Sequence, residues 1–178
     1  MRSSNILKAA VFFAGAMFLI FSQDHSVAVG MKVLQFVTSA LAFVGLLIFA
    51  TAKIKSSVKD FAWPSAIAFI IAAMTYAFAG KYEGEVTDEL FAFRSIVFLF
   101  VIATAIYELV ISRKAHPDDV LELRISVGLG ALTAAVFAFA PLDELNAVGF
   151  LSAYLALSAV QRAVWAATPT NRKKSKNG

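Results

Sequence analysis

The chain has 178 residues, 60% of them hydrophobic and 16% charged, with a mean hydropathy of +0.75 and a formal net charge of +4. A soluble domain of this size has too little interior to hide so many apolar side chains, so the composition excludes the soluble globular class and points to lipid as the solvent. Cysteine is absent from the sequence, which leaves neither disulfides nor thiolate metal sites.

Six apolar stretches of about 17 to 25 residues are each long enough to cross a hydrocarbon core of roughly 30 Å as a helix. They fall at residues 6–22, 27–52, 61–80, 90–112, 120–140 and 145–167, predicting an all-α bundle of six transmembrane helices in one integral membrane domain over 1–178. The first stretch follows a basic start, as a secretory signal does. It ends in Phe21-Ser22-Gln23 with no small-x-small cleavage site, and is therefore expected to remain as a span. Before the third stretch, "KDFAWPSA" offers Asp60 as a helix cap, with Pro64 in the first turn, where its missing N–H costs little. The fourth carries Glu108 within "AIYELVISRK", an acid inside an otherwise apolar span. "HPDD" opens the fifth with Pro117 and puts Asp118 and Asp119 beside the positive end of the helix dipole.

Assigning the connections alternately to two sides segregates the cations. Arg2, Lys8, Lys53, Lys55, Lys59, Arg113, Lys114, Arg124, Arg162, Arg172, Lys173, Lys174 and Lys176 fall on one side. Lys32, Lys81 and Arg94 fall on the other, with the acids Asp24, Glu83, Glu85, Asp88, Glu89, Asp143 and Glu144. The positive-inside rule then predicts a cell-membrane protein with both termini in the cytoplasm. Its basic tail, 168–178, suits anionic lipid headgroups rather than nucleic acid. Trp63 and Trp165 both fall at the cytoplasmic boundary, where indole rings settle.

Sliding the chain against itself suggests three tandem helical hairpins, at about 6–52, 61–112 and 120–167. Phe21, Phe78 and Phe139 coincide in the odd spans. An ungapped alignment of the even spans superposes Ala40, Ala105 and Ala159, and with them Phe43, Glu108 and Arg162. The third hairpin, "GLGALTAAVFAFAPLDELNAVGFLSAYLALSAVQRAVWAA", resembles the repeat of the HdeD acid-resistance membrane protein family, through Pro141 at the turn and Gly149 in the second helix. The first hairpin fits through Gly15 and Gly30, whereas the second lacks the turn proline and carries Arg94 near the matching position. The resemblance implies a six-span bacterial inner-membrane protein associated with acid or envelope stress, and brings no catalytic residues.

An ionisable residue within a span is costly and calls for a partner. Glu108 and Arg162 lie at similar depth by residue count, so a structural ion pair between them is expected, with Arg124 as the competing cation. A proton relay would need further polar stations. Counting back from Glu108 gives Ala105 and Thr104, Val101, Val97 and then Arg94, with one hydroxyl on the way. On the other side, Asp24, His25, Lys32, Arg94, Asp143 and Glu144 form a candidate anion-binding or pH-sensing cluster. Arg94 is expected to be neutralised by Glu89, Asp143 or Asp24. A metal site from "QDH" and "YEGEVTDE" is not favoured, and no metal or cofactor is expected.

Small residues at every fourth position, Ser126, Gly130 and Ala134 in the fifth span and Ala159, Ala163 and Ala167 in the sixth, predict close helix packing or a docking face for another membrane protein or a second copy. The sequence has no phosphate loop, HExxH or GxSxG. The expected function is a non-catalytic envelope or stress-tolerance protein of the HdeD-like type. The alternatives are an accessory subunit bracing a larger membrane complex and, third, a small transporter, which the lack of broken helices disfavours.

Overall fold

A computed structural model describes residues 2–51, 59–79, 86–113, 115 and 117–168. These form helices α1 (Arg2–Phe21), α2 (Val27–Thr51), α3 (Lys59–Ala79), α4 (Val86–Ser112), α5 (Pro117–Phe139) and α6 (Glu144–Ala167), with no strand among the described residues. Four of them contain stretches long and apolar enough to cross a membrane: Val27–Leu47, Asp88–Ser112, Asp119–Phe139 and Glu144–Ala167. The apolar parts of α1 and α3 are shorter among the described residues, at Asn5–Phe21 and Ala66–Ala77. The outer surface carries large apolar side chains all round, including Phe21, Phe69, Phe91, Leu132 and Phe139. Such a surface suits hydrocarbon, not water.

Helix ends follow local chemistry. Ser26 precedes α2, and its Oγ accepts from the Val29 N–H at 3.4 Å, while Asp24 Oδ1 accepts from the Ser26 N–H at 2.9 Å. Asp143 caps α6, its carboxylate accepting from the Asn146 N–H at 2.8 Å. Between α5 and α6 the chain turns at Pro141, across which the Leu142 N–H donates to the Ala140 carbonyl at 2.9 Å. Pro117 is the first residue of α5, where a missing N–H leaves no helical bond unmade. The expected cap at Asp60 is not found, because α3 already begins at Lys59. The side chains of Trp63, Pro64 and Phe78, and the whole of 169–178, lie outside the described residues.

Each helix packs most extensively across, rather than within, the sequence hairpins: α1 against α6, α2 against α3 and α4 against α5. Consecutive partners α1–α2, α3–α4 and α5–α6 touch less, and α2, α4 and α6 meet one another at the centre. Buried positions alternate in steps of three and four, as in Asn5, Ala9, Phe12, Ala16 and Leu19 of α1 and Val148, Leu151, Leu155, Ser158 and Arg162 of α6. A seam of about 3.5 residues per turn is that of helices crossing at a shallow left-handed angle.

Because lipid tails are as apolar as leucine, helices in such a bundle associate through close packing and polar ties. Three glycines allow the closest approaches. A Cβ on Gly15 would lie 2.6 Å from Val37 Cγ2, on Gly30 2.9 Å from Phe93 Cζ, and on Gly130 2.9 Å from Ala105 Cβ. Gly130 and Ala134 thus sit in the α4–α5 seam, with Ser126 half-buried at its edge. In α6, Ala159 is buried but Ala163 and Ala167 are exposed, which corrects the predicted packing stripe. Each step of four overshoots a seam whose average step is 3.5 by about 50°, so the first step beyond Ala159 already leads toward the outer face.

The ungapped sequence alignment of the inner helices sets exposed Phe43 of α2 against buried Glu108 and Arg162. Ala42 is the buried residue beside the helical seam. Matching burial instead aligns Val27, Phe93 and Ala147; Met31, Val97 and Leu151; Leu34, Phe100 and Tyr154; Thr38, Thr104 and Ser158; and Ala42, Glu108 and Arg162. All are buried except the half-buried Thr104. For the outer helices the same comparison aligns Phe12, Ala68 and Gly130; Gly15, Ile71 and Thr133; Ala16, Ala72 and Ala134; and Leu19, Thr75 and Phe137, all of them buried.

Candidate functional site

The most concentrated polar chemistry in the interior lies about one turn from the ends of α4 and α6. Glu108 and Arg162 are both buried, and the Arg162 guanidinium donates through Nη2 to Glu108 Oε1 at 2.5 Å. The seams of α4 and α6 point these residues at one another, since each is the last large buried side chain on its helix's inner face before the end. The contact is single rather than a two-bond fork, and Arg162 Nε is buried with no hydrogen-bond partner. On its other side the guanidinium lies over the Phe12 ring, with Cζ 5.2 Å from the centroid, which gives a desolvated cation a favourable quadrupole to face. Tyr154 meets the rings of both Phe12 and Phe100 edge-on at centroid distances of 6.5 and 6.4 Å, holding α1, α4 and α6 together just above the pair.

Lys8 on α1 is half-buried and lies within the electrostatic reach of both Glu108 and Arg162. Sequence reasoning counted Lys8 only as a topology-setting cation. Its single signal was its position inside the first apolar span, one turn before Phe12. Arg124, the competing cation, is exposed on α5, and the carboxylate is held by Arg162 instead.

Two further ties fix α6 to α5 nearby. Gln161 Nε2 donates to the Glu122 carbonyl at 2.7 Å, and Trp165 Nε1 donates to Asp119 Oδ1 at 3.3 Å. A buried cation, a carboxylate and a half-buried ammonium could in principle transfer protons or bind an anion. Along α4, however, Thr104 spends its hydroxyl on the Phe100 carbonyl at 2.8 Å, and Val101, Val97 and Phe93 fill the path beyond it. The arrangement is suited to fastening helices.

At the opposite end the expected outer cluster is not assembled around one point. Arg94 donates from Nη2 to the Ala140 and Phe137 carbonyls at 2.8 and 3.0 Å, and from Nε to Phe137 at 3.4 Å. It therefore closes the C-terminal end of α5, where free carbonyls and the negative pole of the helix dipole await a cation. This differs from the expected neutralisation by a carboxylate. Asp143 and Asp24 are engaged with backbone amides at the starts of α6 and α2, and His25 and Lys32 are exposed. Glu144 stands in the first turn of α6. Among the described residues, no three His, Asp or Glu side chains gather as a metal ion would require.

No family model matches the chain, and neither does any curated protein or solved structure.

Proposed function

We propose that the chain is a non-catalytic, six-span protein of the bacterial inner membrane with both termini in the cytoplasm, built from three helical hairpins and serving acid or envelope-stress tolerance in the manner of the HdeD-like family. The observation that carries the structural part of this reading is the buried Glu108–Arg162 pair, which ties together helices of two different hairpins. The hairpin repeat is supported by the ring in which each helix packs most against one from a neighbouring hairpin, with the even helices central. It is supported further by Thr38, Thr104 and Ser158, a hydroxyl at one level of all three inner helices, buried in α2 and α6 and half-buried in α4. The stress role rests on the resemblance of the third hairpin, at Pro141 and Gly149.

One observation favours the rival reading of an accessory subunit. The outward face of α6 presents Gly149, Ala153, Ala156, Val160, Ala163 and Ala167, small side chains in steps of four and three along most of the helix, exposed except for the half-buried Ala156. A partner helix could approach closely there.

The deciding experiment combines gene deletion in the source bacterium with purification in mild detergent. The stress reading expects reduced survival after acid challenge, restored by the wild-type chain, and no second protein at stoichiometric yield. A heterologous membrane protein recovered one to one, with acid survival unchanged on deletion, replaces it with the subunit reading. Accessibility labelling of cysteines placed in the α1–α2 and α4–α5 connections tests the orientation, which requires the former outside and the latter inside.

A further inference from the structure

A cleft of about 340 Å³ opens between the last turns of α1 and the first half of α6, lined among others by Leu19, Ile20, His25, Gly149, Ser152 and Ala153. Its size falls at the lower end of the roughly 300 to 1,000 Å³ typical of small-molecule sites. Three features that coincide in it bear on what it could hold. Ser152 is 7% exposed and lines the cleft, yet its hydroxyl makes no hydrogen bond with any described residue. Two other buried hydroxyls are spent on their own helices, Thr38 on the Leu34 carbonyl and Thr75 on the Ala72 carbonyl, both at 2.7 Å. A hydroxyl that faces the cleft and is not spent on its own helix is free to donate to a ligand oxygen. Secondly, Gly149 is open: a Cβ built there meets nothing within 4 Å, whereas one on Gly15 or Gly30 would collide. Thirdly, exposed His25 stands at the mouth, in the connection between α1 and α2, at the level where a bilayer's headgroups begin if the helices span.

We infer that this cleft binds one phospholipid, with an acyl chain along Leu19, Ile20 and Ala153, an ester oxygen accepting from the Ser152 hydroxyl, and the headgroup phosphate accepting from the His25 imidazole. An acyl chain matches the apolar walls, and an imidazole N–H complements a phosphate. Asp24, the acid next to His25, directs Oδ1 to the Ser26 N–H. The site rests on the bilayer-spanning part of the proposed function but not on the stress role.

The test uses the full chain reconstituted in bilayers of phosphatidylethanolamine and phosphatidylglycerol containing phosphatidylglycerol with a photoactivatable acyl chain. Crosslinked peptides are mapped by mass spectrometry. Labelling is expected to concentrate at residues 19–20 and 149–153 relative to Leu132, an exposed residue of α5 that reports ordinary annular lipid. The Cβ of Gly149→Leu meets nothing within 4 Å and its side chain occupies cleft volume, so it should lower the cleft's labelling roughly tenfold while leaving Leu132 labelling unchanged and the unfolding temperature no lower. Ser152→Ala should weaken retention less, because the acyl chain still fits. Equal labelling of the cleft and Leu132, or a cleft signal untouched by Gly149→Leu, overturns the proposal. So does crosslinking between two copies across Gly149 in place of lipid labelling, which would assign the face to self-association. Loss of labelling at every position, Leu132 included, would remove the bilayer-spanning reading along with the site.

Discussion

The two sides of the inner trio are fastened by different chemistry. Where α2 meets α3, the described side chains pack apolar surfaces together with one tie among them, Gln35 Nε2 to the Thr75 carbonyl at 3.0 Å. Where α4, α5, α6 and α1 meet, the ties are an ion pair, a cation over a ring and several side-chain bonds to backbone. The contrast is concentrated at one matched level, which holds Ala42 in α2 but Glu108 and Arg162 in α4 and α6. In lipid, apolar packing alone discriminates poorly between helix partners, because tails compete on equal chemical terms. An ionic tie supplies that discrimination, as only one arrangement leaves neither charge alone. The α2–α3 side is accordingly expected to separate first, and hydrogen exchange should show earlier loss of protection there than in α4 and α6.

The sharpest way to break this contrast is to remove one charge. Glu108→Ala leaves Arg162 buried without its counter-ion and should cost about 3 to 5 kcal/mol in unfolding experiments in mild detergent. Replacing both, Glu108→Leu with Arg162→Met, should recover most of that loss, because two apolar groups of similar volume leave no charge stranded. Exchanging the charges, Glu108→Arg with Arg162→Glu, should recover part of it. If the double changes are no better than the single ones, the pair is not what holds α4 to α6.

A second comparison sets two glycines that sequence alone would treat alike. Gly15→Ala forces a methyl to within 2.6 Å of Val37 at the junction of α1 and α2, and should destabilise by roughly 1 to 3 kcal/mol through overpacking. Gly149→Ala meets open space and should be neutral or stabilising by up to about 1 kcal/mol, the helix-propensity gain. Equal effects at the two positions would mean that the close approach at Gly15 is absent in the membrane.

This pair of glycines also marks the limit of what was legible in the sequence. The helices were legible because apolar length and Pro117 act locally, whereas Asp143, counted among the outer acids, is the cap of α6. The depth of Glu108 and Arg162 was legible because a rise of 1.5 Å per residue converts position into depth. The one-residue offset at Phe43 arose because an apolar helix slid by one residue still looks apolar; only burial on the folded bundle distinguishes Ala42. Arg94 went astray for another reason: its partners are the carbonyls of Phe137 and Ala140, and a backbone acceptor leaves no mark in a sequence. Ala163 was misplaced because every-fourth-residue spacing is not the period of the seam it was assigned to.

Arg94 supplies the next effect in order of size. Arg94→Ala removes the guanidinium's bonds to the Phe137 and Ala140 carbonyls, of which Ala140 keeps the Leu142 N–H, and should cost about 1.5 to 3 kcal/mol, the range for hydrogen bonds to a charged group. Arg94→Lys should restore part of it, since an ammonium can satisfy one carbonyl but not span two as the guanidinium does. If the loss is instead rescued by raising salt, Arg94 acts through the exposed acids and not through the helix end.

The smallest effect bears on the weaker side itself. Gln35→Leu removes the one polar tie between the described side chains of α2 and α3 while keeping a side chain of similar size, and interhelical hydrogen bonds in membranes average about 0.6 kcal/mol. If α2 and α3 are joined mainly by packing, the variant should unfold within about 1 kcal/mol of wild type and lose protection in α3 only slightly sooner. A loss comparable to Glu108→Ala would make Gln35 the counterpart of the ion pair on that side. The two halves would then differ in the kind of polar fastener each uses, and Ala42 would no longer mark a side held by packing.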